Sequence, residues 1–473
     1  MKRFSLFLCW LTVSLAALAE GRAKYVFYFI GDGMGVNQVN VTQTYLAALE
    51  GRIGIKPLCF TTFPQVALVT TYSATNGVTD SAAGGTALAT GHKTRNGALG
   101  VEADGQTPVS SLAYMARAAG AAVGIATSVS VDHATPAAFY AHQGQRGSYY
   151  TIGQDLIKAG FDFYAGSDFL QPQKKDAADA SLYRQTEEAG FTLARGYKDY
   201  LKKSKKAERL ILLPTEATLK RSANSLPYAI DRLDGDMTLE EITRAAVHFL
   251  SKQSKDGFFL MVEGGKIDWA CHSNDVATVI HEVIDMDKAI RVAFEFMAQH
   301  PDETLIVVTA DHETGGIVMG RGPYELHTDL LRYQRLSVEA YAAHLKELHA
   351  SLGEGLTWDV VKKDLTDHWG LMGPVAVSDR QETRLKQAYE ALVKGVSADK
   401  KSLYASINGL ADEARAILAE CALIGWQSGG HSNGYVPAFA TGVGASLIHG
   451  QMDNVELPAH SRGCRLSALT FGL

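Results

Sequence analysis

Hydrophobic residues gather in short, uninterrupted runs rich in β-branched and aromatic side chains, and most of these runs stop at a small polar cluster. Tyr25–Ile30 runs into Gly31-Asp32-Gly33-Met34-Gly35, and Val66–Tyr72 precedes Thr79-Asp80-Ser81. Ala122–Ala126 precedes Asp132-His133-Ala134-Thr135-Pro136. Phe258–Val262 stops at Glu263-Gly264-Gly265, and Leu305–Thr309 at Asp311-His312-Glu313-Thr314. Val436–Thr441 instead follows Gly429-Gly430-His431. Runs without polar alternation predict strands buried on both faces, and helical spacing between them, as over Val276–Met297, predicts covering helices. The pattern predicts an α/β fold around a largely parallel sheet, with the ligand site beyond the carboxyl ends of the strands. The chemically capable clusters fall at that edge together, which points to a single constellation. Two stretches read as insertions: 171–222, polar and Lys-rich, and 324–425, helix-patterned. Neither shows a ligand-like cluster along the sequence.

Composition narrows the class. The 473 residues are 46% hydrophobic and 20% charged, enough for a large core that needs no disulfides. A net charge of −6 argues against a nucleic-acid partner, which calls for a basic face. The short cluster Lys202, Lys203, Lys205 and Lys206 lacks interleaved aromatics and reads as a solvated helix face. Lys2 and Arg3 precede an apolar run from Phe4 to Leu18, and Ala17-Leu18-Ala19 offers small residues for cleavage, so residues 1–19 read as a secretory signal peptide. The expectation is a periplasmic or extracellular protein with no membrane span after processing. Cys59, Cys271, Cys421 and Cys464 match no zinc-ribbon spacing, and their pairing is open.

Asp268 and His272 stand four residues apart, on one face of a helix, as a carboxylate and imidazole suited to a divalent metal. Glu263 on the preceding strand end, Asp311-His312 after another strand, and His431 behind two glycines extend the set. The Gly31–Gly35 loop does not fit a dinucleotide fingerprint, because position 36 is Val36 where a third glycine is needed. A carboxylate in that loop would also repel a pyrophosphate, so Asp32 suits a metal bridge better. Ser81, followed by Ala82-Ala83-Gly84-Gly85, reads either as an ordinary helix start or as a nucleophile where a helix N-terminus favours alkoxide and phosphate. Arg146 would then clamp phosphoryl oxygens.

The ordered set Gly31-Asp32-Gly33-Met34-Gly35, Asp80-Ser81-Ala82-Ala83, His133-Ala134-Thr135-Pro136-Ala137 with Arg146, Val262–Asp268 with His272, Thr309–Glu313, and Gly430-His431 resembles the motif series of the alkaline phosphatase family. The resemblance implies a three-layer α/β/α sandwich with helical insertions, forming one catalytic unit over 20–473. It implies two Zn²⁺ and one Mg²⁺ per subunit. Asp268, His272 and His431 would hold the first zinc, and Asp32, Asp311 and His312 the second, beside Ser81. Asp32, Thr135 and Glu263 would form the magnesium-type site. Ser81 would be the phosphorylated nucleophile, Arg146 the phosphate clamp and Asp80 its orienting partner. The substrates would be small phosphate monoesters, and a homodimer is implied. His133 and Trp269 stand where one branch of the family carries Asp and Lys. They are expected to alter the third metal site, and the uncharged Trp269 to weaken retention of product phosphate.

Two other classes compete. A phosphodiesterase on the same superfold would need room for a second ester arm and would often use Thr as its nucleophile. A sulfatase would need a different nucleophile motif, which Ser81-Ala82-Ala83 does not match. A non-enzymatic exported phosphate- or metal-binding protein accounts for the ligands but not for a serine among them.

Overall fold

The structure, a computed structural model, describes residues 23–461 except 175–180, 223–224, 398 and 402. The expected signal peptide and Cys464 lie outside the described residues. Ten strands form the main sheet: β1 (Tyr25–Ile30), β2 (Gln65–Thr70), β3 (Ala122–Thr127), β4 (Phe163–Ala165), β5 (Phe191–Arg195), β6 (Arg209–Leu213), β7 (Phe258–Glu263), β8 (Thr304–Thr309), β9 (Val436–Gly442) and β10 (Gly450–Asp453). Their order across the sheet is β10-β2-β9-β8-β1-β7-β3-β4-β6-β5. The continuously apolar strands β1, β3, β7 and β8 lie side by side at the centre and are buried on both faces, as their lack of alternation requires.

All neighbouring pairs are parallel except those made by β9, which runs against both β2 and β8. That reversal explains why the Gly429–His431 cluster precedes its strand while the others follow theirs. The start of β9 and the ends of β1, β7 and β8 share one edge. In register, Ile30 stands opposite both Glu263 and Thr309, so Asp32 and Asp311 each sit two residues beyond adjacent strand ends.

The stretch 171–222, expected as an insertion, supplies β5 and β6 at one side of the sheet. Its polar flanks belong to the helices and turns around the short apolar run Arg209–Leu213, of which Leu210–Leu213 are fully buried. The stretch 324–425 is helical as expected, with helices Val338–Leu352, Trp358–Trp369, Asp379–Val393 and Gly409–Cys421. They close a second apolar core in which Tyr341, Leu365, Trp369 and Ile417 pack with Val41, Tyr45 and Ile280 of the main body. The buried Asp275 carboxylate fixes this addition. It caps helix Val276–Gln299 through Thr278 N (3.2 Å) and also accepts from Val338 N and the Gln334 side chain, both at 2.8 Å.

Cys59, Cys271 and Cys421 are free thiols. Among the described residues no helix is long and apolar enough to cross a membrane.

Candidate active site

Ser81 opens helix Ser81–Thr90, which is buried along its whole length. The small residues after it answer to close approach. A Cβ at Gly84 would stand 2.8 Å from the Asp311 carbonyl oxygen, and one at Gly85 3.2 Å from Thr135 Cα. The helix therefore lies directly on the strand-end loop that carries Asp311 and on the short helix Ala134–Ala137 that carries Thr135. Asp80 caps it, accepting from Ala83 N (3.0 Å) and from Gly97 N (3.1 Å). The same carboxylate receives Arg146 Nη1 at 3.1 Å, so cap, loop and guanidinium share one anchor.

The sequence-predicted residues converge at the sheet edge. His272 Nε2 lies 3.2 Å from Asp268 Oδ2, and His431 Nε2 lies 3.2 Å from His272 Nε2 and 3.7 Å from Asp268 Oδ1. His312 Nε2 stands 3.4 Å from Asp32 Oδ1, 3.3 Å from Asp311 Oδ2 and 3.2 Å from Ser81 Oγ. Thr135 Oγ1 is 3.5 Å from both Asp32 Oδ2 and Asp311 Oδ2. The ligand atoms of Asp32, His133 and Glu263 lie within 4.8 Å of one another, so His133 reaches the third group itself and does not merely border it.

Two observations show that this donor set fits divalent cations. Asp32, Glu263, Asp268 and Asp311 are carboxylates with no solvent exposure, and Asp32 Oδ1 and Glu263 Oε1 make no hydrogen bond within the described residues. So many buried charges are costly unless cations neutralise them. The three imidazoles are also oriented alike. His272 Nδ1 is held by the Gly429 carbonyl (2.6 Å), His431 Nδ1 by the Thr79 carbonyl (2.8 Å) and His312 Nδ1 by Thr314 Oγ1 (3.1 Å). Each arrangement leaves Nε2 facing the carboxylates, as metal-ligating histidines require.

The electrostatics agree. Burial first, then the Asp311 and Asp268 carboxylates, pushes Asp32 well above the carboxylate range, and burial with Asp268 does the same to Asp311. Burial raises Glu263 to about 7. Asp268 goes the other way, because its hydrogen bond to His272 and the surrounding imidazoles outweigh burial. Burial and then Arg146 lower His133 to about 3, so it stands neutral beside the guanidinium, 3.5 Å away.

Several contributing residues were not singled out in the sequence. Thr314 Oγ1 accepts from His312 while donating to Asp268 Oδ1 at 2.6 Å, and Thr127 hydrogen-bonds Glu263. Tyr404, from the helical addition, stacks on Trp269 with ring centroids 4.4 Å apart and lies 5.5 Å from the His272 ring. A cavity of about 640 Å³ opens beside this pair, lined also by Lys266, Ser130, Asp168 and Leu403.

Trp269 faces His133 edge-on at 5.9 Å. Replacing it by lysine puts a further cation beside His133, whose Nε2 lies 3.5 Å from Arg146, the phosphate clamp that the family resemblance implies. The inhibition constant of inorganic phosphate is expected to fall about tenfold, the effect of roughly 1.4 kcal/mol. An unchanged constant in a folded Trp269→Lys protein would refute the role given to this side chain.

An α/β protein whose strand ends gather divalent-metal ligands around a serine at a helix N-terminus is, by class, a metal-dependent hydrolase. The alkaline phosphatase family model matches residues 23–162 and 163–462. The chain is 30% identical to alkaline phosphatase 3 of Bacillus subtilis over 444 residues, covering 93% of this chain and 88% of that protein. It resembles the cold-active alkaline phosphatase of Shewanella sp. with a TM-score of 0.75 at 29% identity, covering 93% of this chain and 99% of that one. The alkaline phosphatase of Thermus thermophilus gives 0.75 at 27% identity, covering 94% and 91%. The chain belongs to the alkaline phosphatase family and is a metal-dependent phosphoesterase.

Proposed function

We propose that this enzyme is an exported phosphomonoesterase that passes the phosphoryl group through Ser81. The observation that carries the reading is the position of Ser81 Oγ, fully buried at a helix N-terminus and 3.2 Å from His312 Nε2, inside a ring of ligand side chains. Asp268, His272 and His431 would hold one Zn²⁺, Asp32, Asp311 and His312 a second, and Asp32, Thr135 and Glu263 an Mg²⁺ with His133 at hand. When bound, these ions neutralise the carboxylates and supply Lewis-acid activation of the reacting oxygens.

The chain does the rest. Arg146, fixed by Asp80, presents a planar fork that matches two non-bridging phosphoryl oxygens. The dipole of helix Ser81–Thr90 favours negative charge at its start, where Ser81 Oγ attacks phosphorus in line. The Oγ–P bond forms as the P–O bond to the leaving alcohol breaks, and the alcohol departs with a proton. Water then attacks the same phosphorus, the Oγ–P bond breaks, and Ser81 regains its proton as phosphate leaves. Two inversions give net retention at phosphorus and allow transfer to added alcohols.

Export rests on the Lys2-Arg3 and Phe4–Leu18 pattern. A homodimer rests on the family resemblance, with Val36, Ile55, Val66 and Leu68 as exposed apolar candidates for the covered surface.

The deciding comparison is p-nitrophenyl phosphate against bis-p-nitrophenyl phosphate with the metal-loaded enzyme. Esterifying one more oxygen leaves only two non-bridging oxygens to be shared between Arg146 and the ions, so one charge-assisted contact, worth about 1.5–3 kcal/mol, is lost. The diester is therefore expected to turn over about 100-fold more slowly. Comparable rates would make the enzyme a diesterase, and stoichiometric phosphate binding without turnover would make the chain a binding protein.

A further inference from the structure

The helical addition at 324–425 was expected to carry no ligand-like cluster, yet it brings His344, Asp364 and His368 together. We propose that these three residues form a separate site for a divalent transition-metal ion of the zinc class, outside the catalytic centre.

The argument begins with spacing. Asp364 and His368 stand four residues apart on helix Trp358–Trp369, and His344 projects from the neighbouring helix Val338–Leu352. This is the composition of the first catalytic group, an Asp-His pair one turn apart joined by a distant histidine. The distances are comparable as well. His344 Nε2 lies 2.8 Å from Asp364 Oδ1, and His368 Nδ1 lies 3.4 Å from the same oxygen. Around Asp268 the helix neighbour His272 lies 3.2 Å from Oδ2 and the distant His431 3.7 Å from Oδ1, separations of the same size divided between two oxygens instead of sharing one. One ligand atom from each of the three residues falls within 4.8 Å of the others.

The carboxylate is also prepared. Tyr341 Oη donates to Asp364 Oδ2 at 2.8 Å, which turns Oδ1 toward the two imidazoles. Such an outer hydrogen bond is the usual support of a metal-bound carboxylate. Tyr341 is itself buried against Trp369, with ring centroids 5.4 Å apart, so the support is rigid. The ligands are partly open, with side-chain exposures of 32% for His344, 12% for Asp364 and 26% for His368. An ion could enter, and water could complete a tetrahedron. Two imidazoles with one carboxylate suit zinc or its first-row neighbours better than magnesium or calcium.

An ion there would join two helices of the second core. The Asn408 side chain, four residues beyond Tyr404, donates to the Ala342 carbonyl on the first of those helices. The staple would thus support the segment that presents Tyr404 to the catalytic site.

The competing reading is a purely hydrogen-bonded cluster, in which His344 donates to Asp364 Oδ1 and His368 Nδ1 to the Asp364 carbonyl, 3.0 Å away. Metal content separates the two. The full-length protein is stripped with chelator, reloaded with zinc, freed of excess ion and analysed for zinc per chain. The wild type is expected to retain about one zinc ion per chain more than a His344→Gln/His368→Gln variant, whose glutamines can still hydrogen-bond. The variant should keep p-nitrophenyl phosphate turnover when zinc and magnesium are in excess, because the Asn408 contact that holds the Tyr404 segment uses neither histidine. Equal zinc content in wild type and variant overturns the site. Should the variant fail to fold, anomalous scattering at the zinc edge on zinc-loaded wild-type crystals decides alone. A peak between His344 and Asp364 supports the proposal, and its absence refutes it.

Discussion

Replacing Ser81 by alanine is expected to lower turnover of p-nitrophenyl phosphate by at least about 10³-fold, and by up to about 10⁶-fold if no other group can attack. The substitution removes one buried oxygen from a site whose other parts stay in place. Asp80 still caps the helix through Ala83 N and still holds Arg146, because neither contact uses the Ser81 side chain. Alanine is a good helix former and already occupies the next two positions, so the local fold is kept. The loss therefore reports the covalent step rather than a damaged site. Metal content should match that of wild type, and phosphate should still bind at Arg146. Acid quenching of the wild type with labelled phosphate should leave label on Ser81. Near-normal turnover in Ser81→Ala, or label on another residue, would move the nucleophile elsewhere.

Legibility in the sequence followed a physical divide. Strands buried on both faces have no freedom to alternate, so β1, β7 and β8 appear as apolar runs, and their ends mark where functional loops begin. Asp32, Glu263, Asp311 and His312 could be picked out for that reason. The outer strands β4, β5 and β6 are short and lie among polar helices, and the stretch that carries two of them looked like an insertion. Residues that act on a ligand rather than as one were harder still. The hydroxyl of Thr314 and the carbonyl of Gly429 fix imidazoles only through tertiary contacts that no spacing announces. Tyr404 reaches Trp269 because a second core carries it there. His344 is far in sequence from the Asp364/His368 pair, and only the packing of two helices unites them.

Withdrawing the metals is expected to abolish activity and also to reverse how stability depends on pH. In the metal-free chain Glu263 titrates at about 7, raised by burial, and Asp32 and Asp311 are raised well above their ordinary values by burial and by neighbouring carboxylates. A carboxyl whose folded value is raised binds more protons folded than unfolded. Its stability is complete below the ordinary carboxylate range and is lost as pH rises towards the folded value. Glu263 alone would cost about 3 kcal/mol between roughly pH 4.5 and pH 7. Asp268, whose value is lowered, acts in the opposite sense, but its window lies below the ordinary carboxylate range and leaves this one untouched. With metals bound the sign inverts, because the ionised carboxylates are the ligands and affinity rises with pH. Other buried acids such as Glu282, raised to about 7 by burial, titrate in both forms and cancel when the two are compared. Thermal unfolding of chelator-treated and metal-loaded protein at pH 5 and pH 8 checks the argument. The metal-free midpoint should be lower at pH 8 than at pH 5, and the gap between loaded and stripped protein should widen from pH 5 to pH 8. Parallel midpoints in the two forms would mean that these carboxylates do not hold the ions.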